Sequence, residues 1–189
     1  MPTIYSYVVM ACWAAFLLYW GYSALSMKRT LHNPATGWGF AVRIAILVVV
    51  IAIVHFAAPT VSLRPGFEQT SPLLAMIGDA CAVVGITFAI WARYTLGRNW
   101  GMPMSVKEKP ELVTSGPYAL VRHPIYTGVL LALLGSTFVV GLWWLIIFAV
   151  GTIYFLYSAA REEALMMKEF PNEYPAYKAR TKMLIPLIC

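Results

Sequence analysis

Charge is distributed along this chain in clusters separated by long apolar runs. Thr3 to Met27 carries no charge and ends on Lys28-Arg29. Leu31 to Gly39 holds Asn33-Pro34 and two glycines, the composition of a loop. A second apolar run extends from about Phe40 to Ala58, and a third from about Leu73 to Ala92 with Asp79 inside it. From Ile125 to Ala160 there are 36 residues without a charge, and the run stops at Arg161-Glu162-Glu163.

Runs of this length point to lipid. The second is rich in Ile and Val, which in water favours a strand, but a segment in hydrocarbon must satisfy its backbone internally, so it is predicted helical. As one helix the 36-residue run would extend about 54 Å, against a hydrocarbon core of about 30 Å. Folded back near Gly141 it gives two spans of roughly 17 residues, the lower limit for crossing. The prediction is an all-α polytopic membrane protein of five transmembrane helices. Its C-terminal helical hairpin returns the chain to the face it left. Pro124 suits the first turn of the fourth span, where its missing N–H costs nothing. The fifth continues beyond the membrane to about Phe170, because Glu162 to Lys168 contains no breaker. Pro171-Asn172 stops it, Asn172 caps a short amphipathic helix through Thr181, and Pro186 ends that segment. The chain divides into residues 1–92, carrying helices 1–3, and residues 93–189, carrying the hairpin and the C-terminal helices.

Composition agrees. The chain is 60% hydrophobic and only 12% charged, with a mean hydropathy of +0.71. A soluble domain carries about 25% charged residues. The net charge of +6 fits contact with anionic lipid better than with nucleic acid. With five spans and the N-terminus outside, every Lys and Arg except Arg64 falls on the inner face, the bias expected of cytoplasmic loops. The C-terminus is then cytoplasmic. Cys12, Cys81 and Cys189 form no metal or disulfide spacing and read as small apolar residues. His55 reads as an interfacial histidine and Asp79 as a structural hydrogen-bonding acid facing the bundle interior. The three histidines lie on different segments, so no metal centre is predicted.

The hairpin gives the charges their interest. It brings Arg122, His123 and Tyr126 to the same membrane face as Glu162 and Glu163, with Tyr118, Trp100, Tyr174 and Tyr177 adding aromatic surface. Such a place can hold a polar cofactor on the aqueous side and an apolar substrate on the bilayer side. Interfacial aromatics and charges also anchor helices without any further role, and composition alone leaves both readings open.

The motifs extend the reading. Leu112-Val-Thr-Ser-Gly-Pro-Tyr118, Arg122-His-Pro-Ile-Tyr126, Glu162-Glu163 and Glu173-Tyr-x-x-Tyr177, preceded by Leu96-Gly-Arg-Asn-Trp100, resemble the isoprenylcysteine carboxyl methyltransferase family, related to the membrane phospholipid methyltransferases. The resemblance covers about residues 93–187 and is to short, prokaryotic-type members, which implies a bacterial inner membrane. It implies S-adenosylmethionine as methyl donor, held in a cytosolic pocket closed by the C-terminal helices. The implied cofactor contacts are Leu112, Val113, Tyr118, His123, Pro124, Tyr126 and Glu162, with one more near Ser105 or Val106. Arg122, His123 and Glu162 are the implied catalytic group. Glu162 would bind the ammonium or ribose of the cofactor, Arg122 would orient a carboxylate with its planar fork, and His123 would serve as a hydrogen-bonding wall. The implied acceptor is a lipid-like small molecule from the bilayer, by carboxyl O-methylation of an isoprenylcysteine-like group. The family's substrate-binding arginine falls at Ser158 here. Amine, phospholipid or thiol methylation, an NADPH-dependent membrane reductase and a non-catalytic membrane subunit remain the alternatives.

Overall fold

The computed structural model describes residues 4–25, 30–32, 71–100, 106–107, 111–141 and 143–186. Its helices are α1 (Ile4–Ala24), α2 (Pro72–Leu96), α3 (Pro124–Val140), α4 (Trp143–Glu169) and the short α5 (Tyr174–Arg180). Single 3-10 turns occupy Gly97–Asn99 and Gly116–Ala119, and β1 (Thr30–His32) pairs antiparallel with β2 (Val106–Lys107). α1, α2 and α4 are each long and apolar enough to cross a bilayer, and α3 is a shorter apolar helix. The chain is a helical membrane protein. The second expected span, Phe40–Ala58 with His55, lies outside the described residues, as do Arg64, Ser105 and Cys189.

The hairpin turns where the sequence analysis places it. α3 ends at Val140, Gly141 adopts φ 138, and α4 begins at Trp143. A side chain at that φ would be strained, so glycine is needed to reverse the chain so tightly. Trp144 N donates to Gly141 O at 3.1 Å and starts the new helix.

α2 and α3 run antiparallel along a seam of small residues. Gly78, Ala82, Gly85 and Ala89 on α2 face Gly128, Ala132 and Gly135 on α3, at alternating spacings of four and three. A Cβ on Gly85 would sit 2.5 Å from Gly128 O, and one on Gly78 would sit 2.7 Å from Gly135 O. Helices in lipid gain nothing by hiding apolar surface from each other, so backbone contact across small residues supplies the attraction instead. The same spacing of small residues is legible along the sequence.

α1 joins through two ties. Trp13 Nε1 donates to Ser136 Oγ on α3 at 3.1 Å. At its C-terminal end α2 runs one turn past Ala92, the expected end of this span, and takes in Arg93. Arg93 is buried. Its Nη1 donates to Gly97 O at 2.7 Å, its Nη2 to Ser23 O at 2.8 Å, and its guanidinium lies 4.7 Å above the Trp100 ring. One side chain thus satisfies carbonyls at the C-terminal ends of both α1 and α2, where helices leave acceptors unpaired. α5 begins at Tyr174 with Glu173 as its cap, one residue later than a cap at Asn172 would place it, because residues 171–173 form a turn closed by Tyr174 N donating to Phe170 O at 3.0 Å.

Replacing Gly85 with Val is expected to destabilise the protein by roughly 1–3 kcal/mol, the usual cost of overpacking, and more if the helices separate. Thermal unfolding in detergent measures it. An unchanged midpoint would show that the α2–α3 seam is not in contact.

Candidate functional site

The site forms where the two arms of the hairpin meet the C-terminal segment. Pro124 opens α3, and the residue before a proline is pushed out of the helical region. His123 accordingly sits at φ −123 and ψ 60. The backbone at this corner is held by the tail. Arg122 N donates to Lys182 O at 2.8 Å, His123 N donates to Met183 O at 3.1 Å, and Val121 and Lys182 form a parallel bridge. Thr127 Oγ1 donates to Leu184 O at 2.7 Å. Residues 181–184 therefore clasp the first turn of α3.

Glu162 and Glu163 are adjacent on α4 and so point about 100° apart around it. The structure gives each a different role. Glu163 is buried and receives Arg122 Nε on Oε1 and Lys178 Nζ on Oε2, both at 2.7 Å. Arg122 also donates through Nη1 to the carbonyls of Thr181 and Lys178. Glu162 accepts the Tyr126 hydroxyl on Oε1 at 2.6 Å. His123 lies between the two acids, Nδ1 3.5 Å from Glu162 Oε2 and Nε2 3.6 Å from Glu163 Oε1.

An aromatic column leads from this charged group toward the bilayer. The His123 and Tyr126 rings stack at 5.4 Å with 5° between planes, and Tyr126 and Phe155 stack at 4.4 Å. Tyr118 joins through α5, where Tyr177 Oη donates to Tyr118 O at 2.7 Å. Burial pushes the Tyr177 phenol up to about 12 and raises Tyr118 as well, so both hydroxyls stay neutral at physiological pH. Burial disfavours the His123 imidazolium, but the two flanking carboxylates outweigh it, and the imidazole is held above its ordinary value.

Of the residues singled out from the sequence, Arg122, His123, Pro124, Tyr126 and Glu162 converge, and Tyr118 lies one hydrogen bond away through Tyr177. Leu112 and Val113 are half-buried shortly before the Gly116–Ala119 turn. Trp100 packs on Arg93 and Trp20. Sequence reasoning missed Phe155, Lys178 and Thr181. Phe155 is readable in principle, since it precedes Glu162 by seven residues and shares its helix face. Lys178 and Thr181 carry no local signal.

Residues 73–173 match the family described as phospholipid methyltransferase. The chain is 35% identical to the cobalt-zinc-cadmium resistance protein CzcN of Cupriavidus metallidurans over 58% of its length and 45% of that protein. It is 29% identical to the nickel-cobalt-cadmium resistance protein NccN of Alcaligenes xylosoxydans xylosoxydans over 86% of its length and 74% of that protein. It is 40% identical to methanethiol S-methyltransferase 1 of Bradyrhizobium diazoefficiens over 41% of its length and 27% of that protein. The chain thus spans less than half of the first and third of these relatives.

Two outcomes follow from the ion cluster. Glu163→Ala leaves Arg122 buried without its carboxylate and is expected to cost about 3–5 kcal/mol, read by thermal unfolding. The His123 imidazole, followed by NMR, should titrate above 6.5, and Glu162→Gln should lower that value. Because the folded-state value is raised, the stabilisation from charged His123 is full below about pH 6.5 and is lost as pH rises through the folded-state value.

Proposed function

The chain belongs to the phospholipid methyltransferase family, and from that premise we propose that it transfers a methyl group from S-adenosylmethionine to a small amphiphile that reaches the inner-face site from the bilayer. The observation that carries this reading is the arrangement at the mouth of the hairpin, where a charged cluster adjoins an apolar ring column leading into the membrane.

The residues suit the donor. S-adenosylmethionine bears an ammonium, ribose hydroxyls and an adenine. Glu162 supplies a carboxylate acceptor, and the His123 imidazole stands beside it. When bound, the donor supplies an electrophilic methyl on a sulfonium. The protein's share is to position the two reactants and exclude water. Glu162 is oriented by the Tyr126 hydroxyl, and Tyr126 is itself held between His123 and Phe155. Arg122 acts as a positioning residue, since its Nε and Nη1 are engaged by Glu163 and by tail carbonyls. It locks α3, α4 and the tail into one frame.

The acceptor best suited to this site is an uncharged sulfur nucleophile. The cations nearest the site, Arg122 and Lys178, are paired with Glu163, which leaves them poorly placed to receive a carboxylate. The likeness to a methanethiol S-methyltransferase supports the same choice. Carboxyl O-methylation of an isoprenylcysteine-like group is the second reading, favoured by the Arg122-His123-Pro124-x-Tyr126 motif. In this reading the site lies at the cytoplasmic face of a bacterial inner membrane, with the N-terminus outside.

Purified protein in lipid nanodiscs, given methyl-labelled S-adenosylmethionine with thiol, carboxylate, amine and phospholipid acceptors, is expected to label the thiol. Glu162→Gln should weaken donor binding at least tenfold, the scale of one lost charge-assisted hydrogen bond. Binding of NADPH in place of S-adenosylmethionine would turn the assignment to a reductase, and binding of neither would remove the enzyme reading.

A further inference from the structure

Exposed cations stand beside exposed apolar side chains where the tail meets α3. Residues 174–186 carry Lys178, Arg180 and Lys182 and no acid. Tyr174, Tyr177 and Thr181 are the buried side of this segment, and Arg180 and Lys182 are exposed. Glu163 engages Lys178. Among the described residues the ion pairs of this region take in Arg122, His123 and Lys178, and neither Arg180 nor Lys182 enters one. Arg180 lies over the Tyr177 ring at 5.7 Å. Leu120, just before the Val121–Lys182 bridge, is 51% exposed, and Ile185, just after it, is 47% exposed.

The level of this rim along the bundle is fixed by its neighbours. Residues from Ile125 to Ala160 carry no charge, and Arg122 stands outside that run. The tail crosses the boundary. Lys182 O and Met183 O receive Arg122 N and His123 N, whereas Leu184 packs with Tyr126, Leu130, Leu133 and Ala159 within the uncharged helices. Lys182 therefore sits where the apolar slab ends, the level at which a bilayer presents its headgroups. A leucine and an isoleucine beside unpaired cations are poorly suited to water. At a headgroup layer each finds a partner, as on interfacial amphipathic segments. A nucleic acid would leave the two apolar side chains uncovered, and the adjoining uncharged helices commit the rim to lipid.

We propose that Arg180, Lys182, Leu120 and Ile185 form a docking surface for anionic phospholipid, and that the bound lipid holds the tail closed on the first turn of α3. Headgroup phosphates meet the two cations, and acyl chains cover the two apolar side chains. Because the same stretch of tail receives the Arg122 and His123 amides, the order of His123 then depends on the charge of the membrane. This goes beyond the methyltransferase reading and does not require it.

The test places the full chain in nanodiscs of phosphatidylcholine alone, or with an equal part of phosphatidylglycerol, and follows amide exchange by NMR. The Arg122 and His123 amides should exchange about tenfold more slowly in the anionic discs, the scale of two cations held at a charged surface. Arg180→Gln combined with Lys182→Gln should abolish the difference, while the Leu133 amide within α3 keeps its protection and shows that the bundle is folded. Arg180→Lys with Lys182→Arg, which keeps both charges, should retain it. Inorganic phosphate added to the phosphatidylcholine discs should slow neither amide, since it brings no acyl chain. Equal exchange in the two discs, a slowing that survives in the double Gln variant, or a slowing by phosphate alone overturns the proposal.

Discussion

The structure turns on the Glu163 carboxylate. It is buried, and a buried carboxylate is tolerable only when its charge and both oxygens are met. Arg122 meets one oxygen and Lys178 the other. Those two cations come from the corner before α3 and from α5, so one acid on α4 draws three parts of the chain to a single point. Arg122 in turn donates to carbonyls of Lys178 and Thr181, which fixes the tail where its own carbonyls can receive Arg122 N and His123 N. His123 and Glu162 acquire defined positions because this neighbouring pair is already in place.

That polar knot sits on a frame set by the membrane. Lipid leaves the backbone no choice but helix and offers no hydrophobic reason for helices to associate. The α2–α3 seam answers with glycines and alanines at alternating spacings of four and three, close enough for backbone to touch backbone. Arg93 ties the C-terminal ends of α1 and α2 together by donating to Ser23 O and Gly97 O. The hairpin then carries α4 back beside α3, with Tyr126, Leu130, Leu133, Ala159 and Leu184 as their common core. The site is thus built at the rim of a rigid bundle.

Function follows from where polarity stops. On one side are two acids, two cations and an imidazole, which suit the charged and hydroxylated donor proposed above. On the other are the Tyr126 and Phe155 rings, which suit the apolar acceptor proposed above. At the boundary stands Ser158, a buried hydroxyl without a partner. In the proposed methyl transfer the donor is already activated, so the protein's task reduces to holding two dissimilar molecules in line.

The apolar runs determined by themselves that the chain is helical and membrane-bound, because hydrocarbon excludes the alternatives. Run length against bilayer thickness placed the reversal at Gly141, and the reversal put Arg122 and His123 beside Glu162 and Glu163. Pro124 marked the start of α3, since proline fits only the first turn. Those are one-dimensional facts with a geometric consequence. Tertiary structure alone decided which glutamate faces the cations and which faces Tyr126, because two adjacent helical residues point apart but their partners lie 15 to 41 positions away. It alone buried Arg93, which follows the expected end of its span at Ala92 and meets acceptors at two helix ends. It alone brought in Lys178 and the tail, and left Ser158 unsatisfied, since whether a hydroxyl finds a partner depends on every neighbour that packs around it.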